Sequence, residues 1–160
     1  MKNVHMDAEK ARARFKQLRN VDGEVSPQEL DEIWTALDVV RPEQILGQWQ
    51  GSEFVTGHPL NGRLGQVSWY GKTFISPKDA KPLICHAEDG TLYSNTEMGN
   101  GEATLWMVEF RGEVTATMVY DGQPIFDHFK KVDDNTLMGI MNGKDVPDEG
   151  PFFYFVLDRA

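Results

Sequence analysis

The sequence predicts a mainly β protein: a small antiparallel up-and-down barrel over residues 45–160, preceded by a helical arm over 1–44, the two forming one compact domain. Three observations predict it. Helical spacing of apolar residues is confined to the arm. From Lys72 onward short apolar segments alternate with turn residues, with no helical pattern between them. The border between the two patterns is Gly47-Gln48-Trp49-Gln50-Gly51, where a large indole flanked by glycines suits a strand that plugs a barrel end while neighbouring segments approach closely.

Within the arm, Ala8, Ala11, Phe15 and Leu18 mark one face of a short amphipathic helix over 6–19. A turn at Asp22-Gly23 follows. Ser26-Pro27-Gln28-Glu29 then offers a capping box with proline at the first helical position. The second helix carries Leu30, Ile33, Trp34 and Leu37 on one face, a buttress or lid, and Arg41-Pro42 is expected to stop it.

Glu53-Phe54-Val55 continues the first barrel strand into a turn-rich loop, Thr56 to Gly62. Leu64, Val67, Trp69 and Tyr70 fit a short helix or an irregular strand, and periodicity does not choose between them. Leu83-Ile84-Cys85 and Thr91 to Ser94 make a hairpin about Glu88-Asp89-Gly90. Two long strands, Ala103 to Arg111 and Glu113 to Tyr120, join at Gly112. Asp121-Gly122 turns into Ile125 to Val132, Asp134-Asn135 into Thr136 to Met141, and Phe152 to Leu157 closes the set. Seven to nine short strands joined by tight turns pair with their chain neighbours, and closing such a sheet removes its edges.

Composition narrows the function classes. With 16 Lys plus Arg against 25 Asp plus Glu the surface is acidic, which argues against nucleic acid and anionic membranes as partners. The lone Cys85 has no partner for a disulfide or a zinc knuckle, and Met1 to Asn20 lacks the apolar core of a signal peptide. A cytoplasmic protein is expected, with a homodimer as one arrangement open to it. No nucleophile elbow, phosphate loop or dinucleotide fingerprint occurs, and no metal-ligand spacing, so no cofactor is assigned.

The signature and Ser52-Glu53-Phe54, with Gly57-His58-Pro59-Leu60, Trp69-Tyr70-Gly71-Lys72, Pro82-Leu83, Met118-Val119-Tyr120-Asp121, Pro124-Ile125 and Asp127, resemble the bacterial GXWXG/DUF4334 family, from about residue 40 to the C-terminus. The resemblance implies a lipocalin-like β-barrel and supplies no activity. The opening strand is also similar to that of lipocalins, fatty-acid-binding proteins and haem-carrying nitrobindins, which points to one small molecule in the barrel mouth.

Asp127 and His128 are adjacent in a strand, so only one of them faces the cavity; the family motif favours Asp127, with Arg111 as its expected partner if it is paired. His58 on the rim is a candidate acid or base, with Asp127. Lys72 beside Trp69 and Tyr70 is a candidate anchor. Trp106, Met118 and Tyr120 are expected to add ligand contacts, with Arg111 and His128 as further polar ones. The functional expectation is binding of a small, largely apolar molecule. A cofactor-independent isomerase, lyase or hydratase using Asp127 is the alternative, and haem binding through His128 or His58 a second one.

Overall fold

The computed structural model describes residues 6–160. Its arm comprises helices α1 (Ala8–Leu18) and α2 (Pro27–Ala36) and a short strand β1 (Asp38–Val39). The sheet is built from β2 (Gly47–Glu53), β3 (Trp69–Ser76), β4 (Asp79–His86), β5 (Leu92–Ser94), β6 (Ala103–Phe110), β7 (Glu113–Tyr120), β8 (Ile125–Asp133), β9 (Thr136–Gly143) and β10 (Phe153–Arg159). Eight of them, β2, β3, β4, β6, β7, β8, β9 and β10, close an antiparallel ring in chain order, with β10 returning to β2. The turns read from the sequence between strands connect neighbouring strands of this ring or, for β4–β5, its side hairpin. Between β2 and β3 lies the one-turn α3 (Arg63–Gln66), so the ambiguous stretch around Leu64 to Tyr70 is helix first and strand after; α4 (Thr96–Gly99) lies between β5 and β6.

The two strands outside the ring adjust its seams. β5 pairs with the second half of β4, and β6 meets β4 only at Ala80–Ala103. β1 pairs with β8 at Lys131 and Lys130, while Val40 accepts a hydrogen bond from Ala116 of β7. That pairing explains a departure from expectation. α2 ends at Ala36, and Leu37 is already extended, because the following backbone pairs with the sheet from Asp38, three residues before the Arg41-Pro42 stop. The expected capping box at Ser26 is also absent: the Ser26 hydroxyl makes no cap bond, and Glu29 pairs with Arg14 of α1.

Alternation divides the buried residues into two cores on the two faces of one wall. Trp49, Phe74, Leu105, Met118, Phe129, Phe155 and Leu157 fill the barrel interior. Met138, Ile140, Tyr154 and Val156 point outward and are covered by Phe15, Leu30, Ile33 and Trp34 of the arm. The arm is therefore a buttress on the outside of β8–β10, not a lid. Trp49 plugs the interior as expected, fully buried, with its indole N–H donating to the Ile45 carbonyl at 2.9 Å.

Candidate functional site

Above the packed half of the interior the barrel holds a cavity of about 280 Å³, lined by Leu60, Leu64, Trp69, Lys72, Leu83, Met98, Tyr120, Asp127, Phe153 and Phe155, with Arg63 and Gln123 also in its wall. Its walls depend on backbone irregularities. Strict alternation would put Tyr70 and Lys72 on one face, but the β3–β4 register shifts on both sides of Gly71, a bulge that turns Trp69 and Lys72 into the cavity together. Trp69 has room because Gly51 has no side chain: a Cβ there would lie 2.1 Å from the indole. Phe155 sits the same way on Gly139, where a Cβ would come within 2.3 Å of its ring. The second glycine of the signature is thus the seat of a cavity wall.

The polar centre of the cavity is an ion pair. Lys72 Nζ lies 3.0 Å from Asp127 Oδ2, each side chain only 4% exposed. Their strands, β3 and β8, are opposite members of the ring with three strands between them either way, so the pair bridges the lumen. The rings of Trp69, Tyr120 and Phe155 surround the ammonium, with centroids at 5.5, 5.9 and 5.2 Å. The Pro82 carbonyl accepts from both Lys72 Nζ at 3.3 Å and the Trp69 indole N–H at 3.2 Å. An ammonium has three donors. Two acceptors, Asp127 and Pro82, stand near it among the described residues, which leaves one N–H for a cavity ligand.

Burial pushes the Asp127 carboxyl above its ordinary value, and Lys72 pulls against that shift. Burial, reinforced by the Asp127 charge, raises the Tyr120 phenol well above its usual range, so it remains a donor at neutral pH. The cavity therefore offers donors on an apolar wall, with a single carboxylate already engaged by a cation.

Other expected site residues lie elsewhere. Arg111 does not meet Asp127; at the β6–β7 turn it pairs with Asp31 of α2 at 2.9 Å, which also accepts from the Tyr154 hydroxyl. His128 is buried on the outer face under the arm, stacked on Phe110 at 4.0 Å, with Nδ1 2.8 Å from the Thr117 hydroxyl. Trp106 is 46% exposed on the outside with Lys78 over its ring, because Ala103 and Leu105 take the inward positions of β6 and the arm reaches only as far as Phe110. Tyr70 packs against His86, turned from the cavity by the bulge. Met118 faces inward but belongs to the packed half. Of the expected set, Lys72, Trp69, Tyr120 and Asp127 come together.

His58 lies in the loop before α3, where it lines an adjoining hollow of about 480 Å³ that shares Leu60, Gln123, Ile125 and Met141 with the cavity. Its Nδ1 accepts from the Leu60 N–H, the ring lies against Phe153, and the Pro151 carbonyl engages it as well. Burial lowers its pKa. Neither histidine fits an axial haem ligand: His128 is on the wrong face of the wall, and His58 is held by its own loop. Phe153, Phe155, Leu60, Leu64 and Met98 were not anticipated. The closing strand's alternation of Phe153 and Phe155 with Tyr154 and Val156 was the available signal for two of them.

Residues 32–90 match the family model described as GXWXG protein, and residues 101–159 match that of a domain of unknown function, DUF4334. A crystal structure of a protein from Thermomonospora curvata is 37% identical, with a TM-score of 0.84 over 94% of this chain and 98% of that one. No curated protein matches. No helix among the described residues is long and apolar enough to cross a membrane.

Proposed function

We propose that this chain, which belongs to the GXWXG/DUF4334 family, binds a small, largely apolar, uncharged molecule whose one oxygen acceptor meets Lys72 and Tyr120 at the centre of the barrel. The observation that carries the reading is the Lys72–Asp127 pair set in the wall of a cavity, not in the packed half of the lumen. A pocket lined by aromatic and aliphatic groups with a few convergent polar ones is the usual form of a small-molecule site. The preference for a neutral ligand follows from charge balance. Lys72 and Asp127 neutralise each other, and the cavity's other cation, Arg63, is exposed to solvent, so a ligand carboxylate at the buried pair would bring an unbalanced charge into a desolvated space. A carbonyl or hydroxyl takes the remaining N–H without that cost. The adjoining hollow at His58 gives a longer ligand somewhere to extend.

The test is a titration with the neutral fluorophore 1-aminoanthracene, followed by displacement with alcohols, ketones and carboxylates of matched carbon number. Saturable binding is expected, with the neutral compounds displacing the probe about ten-fold better than their carboxylates, a difference of about 1.4 kcal/mol. Absence of a saturable site, or preference for carboxylates, would overturn the reading.

A further inference from the structure

We infer that Lys72 captures an aldehyde or ketone ligand covalently as a Schiff base, with Asp127 moving the proton and then serving as counter-ion. This rests on the reading of the cavity as a small-molecule site and deepens it to carbonyl compounds.

Among the described residues two lysines are buried, and the contrast between them is informative. Lys130 is packed under α2, its ammonium held by the Trp34 carbonyl and Glu113. Lys72 is buried equally but stands in the wall of a cavity, where a ligand carbonyl carbon can reach Nζ. Bracing the barrel does not require a charged pair there, since apolar residues of similar volume hold facing walls together as well or better. What the pair adds is chemistry: an amine with a proton acceptor 3.0 Å away in a water-poor aromatic surround.

The step balances without any further reactant. The ammonium gives one proton to Asp127, and the nitrogen lone pair forms a bond to the carbonyl carbon. A second nitrogen-borne proton passes to the former carbonyl oxygen, giving a carbinolamine. Asp127 returns its proton to that hydroxyl, the C–O bond breaks, water leaves, and a protonated C=N bond remains. The charges before and after are the same, one cation and one carboxylate. The iminium occupies the place of the ammonium, among the rings of Trp69, Tyr120 and Phe155 and beside Asp127. Burial, which raises the Asp127 carboxyl, favours its taking the proton in the first step.

The experiment treats the whole protein with trans-cinnamaldehyde and sodium cyanoborohydride and locates the reduced adduct by peptide mass mapping. In parallel, cinnamyl alcohol, of the same shape but unable to form an imine, is tested for displacement of 1-aminoanthracene. The expected result is an adduct at Lys72 about ten-fold above that at any other lysine, Lys78 and Lys130 included, and suppressed by excess cinnamyl alcohol. Lys72→Arg keeps the charge, loses the amine, and should lose the adduct. If that variant does not fold, the wild-type map decides alone. Alcohol binding with Lys72 no more reactive than Lys78 would overturn the covalent step and leave the site standing. Failure of both compounds to bind would overturn the site and the covalent step together.

Discussion

Lys72 and Asp127 are each a charge that the barrel interior could not hold alone, and their stability effects should be strongly coupled. Asp127→Asn leaves a buried ammonium without its counter-ion, so a loss of about 3–5 kcal/mol in urea unfolding is expected. The double variant Lys72→Met with Asp127→Leu should regain most of it, and a double variant as unstable as Asp127→Asn would show that the bridge itself holds the walls. Asp127 was legible in the sequence from its motif, since alternation along the strand left it and His128 as equal alternatives. Its partner was not, because β3 and β8 are joined by no ladder and their meeting across the lumen depends on barrel closure. His128 makes a separate prediction. Burial first, and the nearby Arg111 charge second, lower its pKa from 6.5 to about 4. The unfolded chain then takes up this proton before the folded one, so the contribution of His128 is intact above pH 6.5 and is lost as the pH falls toward 4. The full effect is about 3 kcal/mol. Asp127, raised in the folded state, works in the opposite sense at acid pH, so the measurement is the difference in urea stability between wild type and His128→Phe. That variant keeps the stack on Phe110 and carries no proton; parallel curves for the two between pH 7 and 4.5 would refute the assignment.

At the scale of single strands, the signature joins stability to the site. Trp49 plugs the packed half of the lumen, and Trp49→Ala should cost about 3–5 kcal/mol, the range for a buried aromatic truncated to alanine. Gly51 acts on the other half. A methyl at Gly51 would occupy the space of the Trp69 indole, so Gly51→Ala should cost less, about 1–3 kcal/mol. It should nonetheless weaken 1-aminoanthracene binding more than Trp49→Ala does in molecules that remain folded. Equal probe affinities for Gly51→Ala and wild type would mean that Trp69 can move aside freely and is no fixed wall. Turn chemistry made the strands readable: Gly112, Asp121-Gly122 and Asp134-Asn135 all fall between paired neighbours. The bulge at Gly71 was unreadable by alternation, since alternation is the rule it breaks and would group Tyr70 with Lys72 where the fold groups Trp69. Trp106 misled for a related reason. Its strand has an apolar residue on both faces, and only the extent of the arm decides which outward residues are covered.

For the molecule as a whole, the wall β8–β10 separates two cores that share backbone but almost no side-chain surface. Phe153, Phe155 and Leu137 serve the lumen, while Tyr154, Val156, Met138 and Ile140 serve the arm. The hydrogen bond from Tyr154 to Asp31 and the ion pair of Asp31 with Arg111 fasten the arm's second helix on the outer side. Stability and ligand binding should therefore respond to different sides of this wall. Leu30→Ala, at a fully buried position of α2, removes apolar surface from the outer core and should cost about 2–5 kcal/mol. Because Leu30 contributes nothing to the cavity, the folded fraction should bind 1-aminoanthracene with unchanged Kd. Chemical unfolding of the variant beside a probe titration, both at a temperature where it remains folded, measures the two quantities separately. A large loss of affinity accompanying the loss of stability would mean that the arm sets the position of β8, and with it Asp127, so that the outer core is part of the site's own machinery.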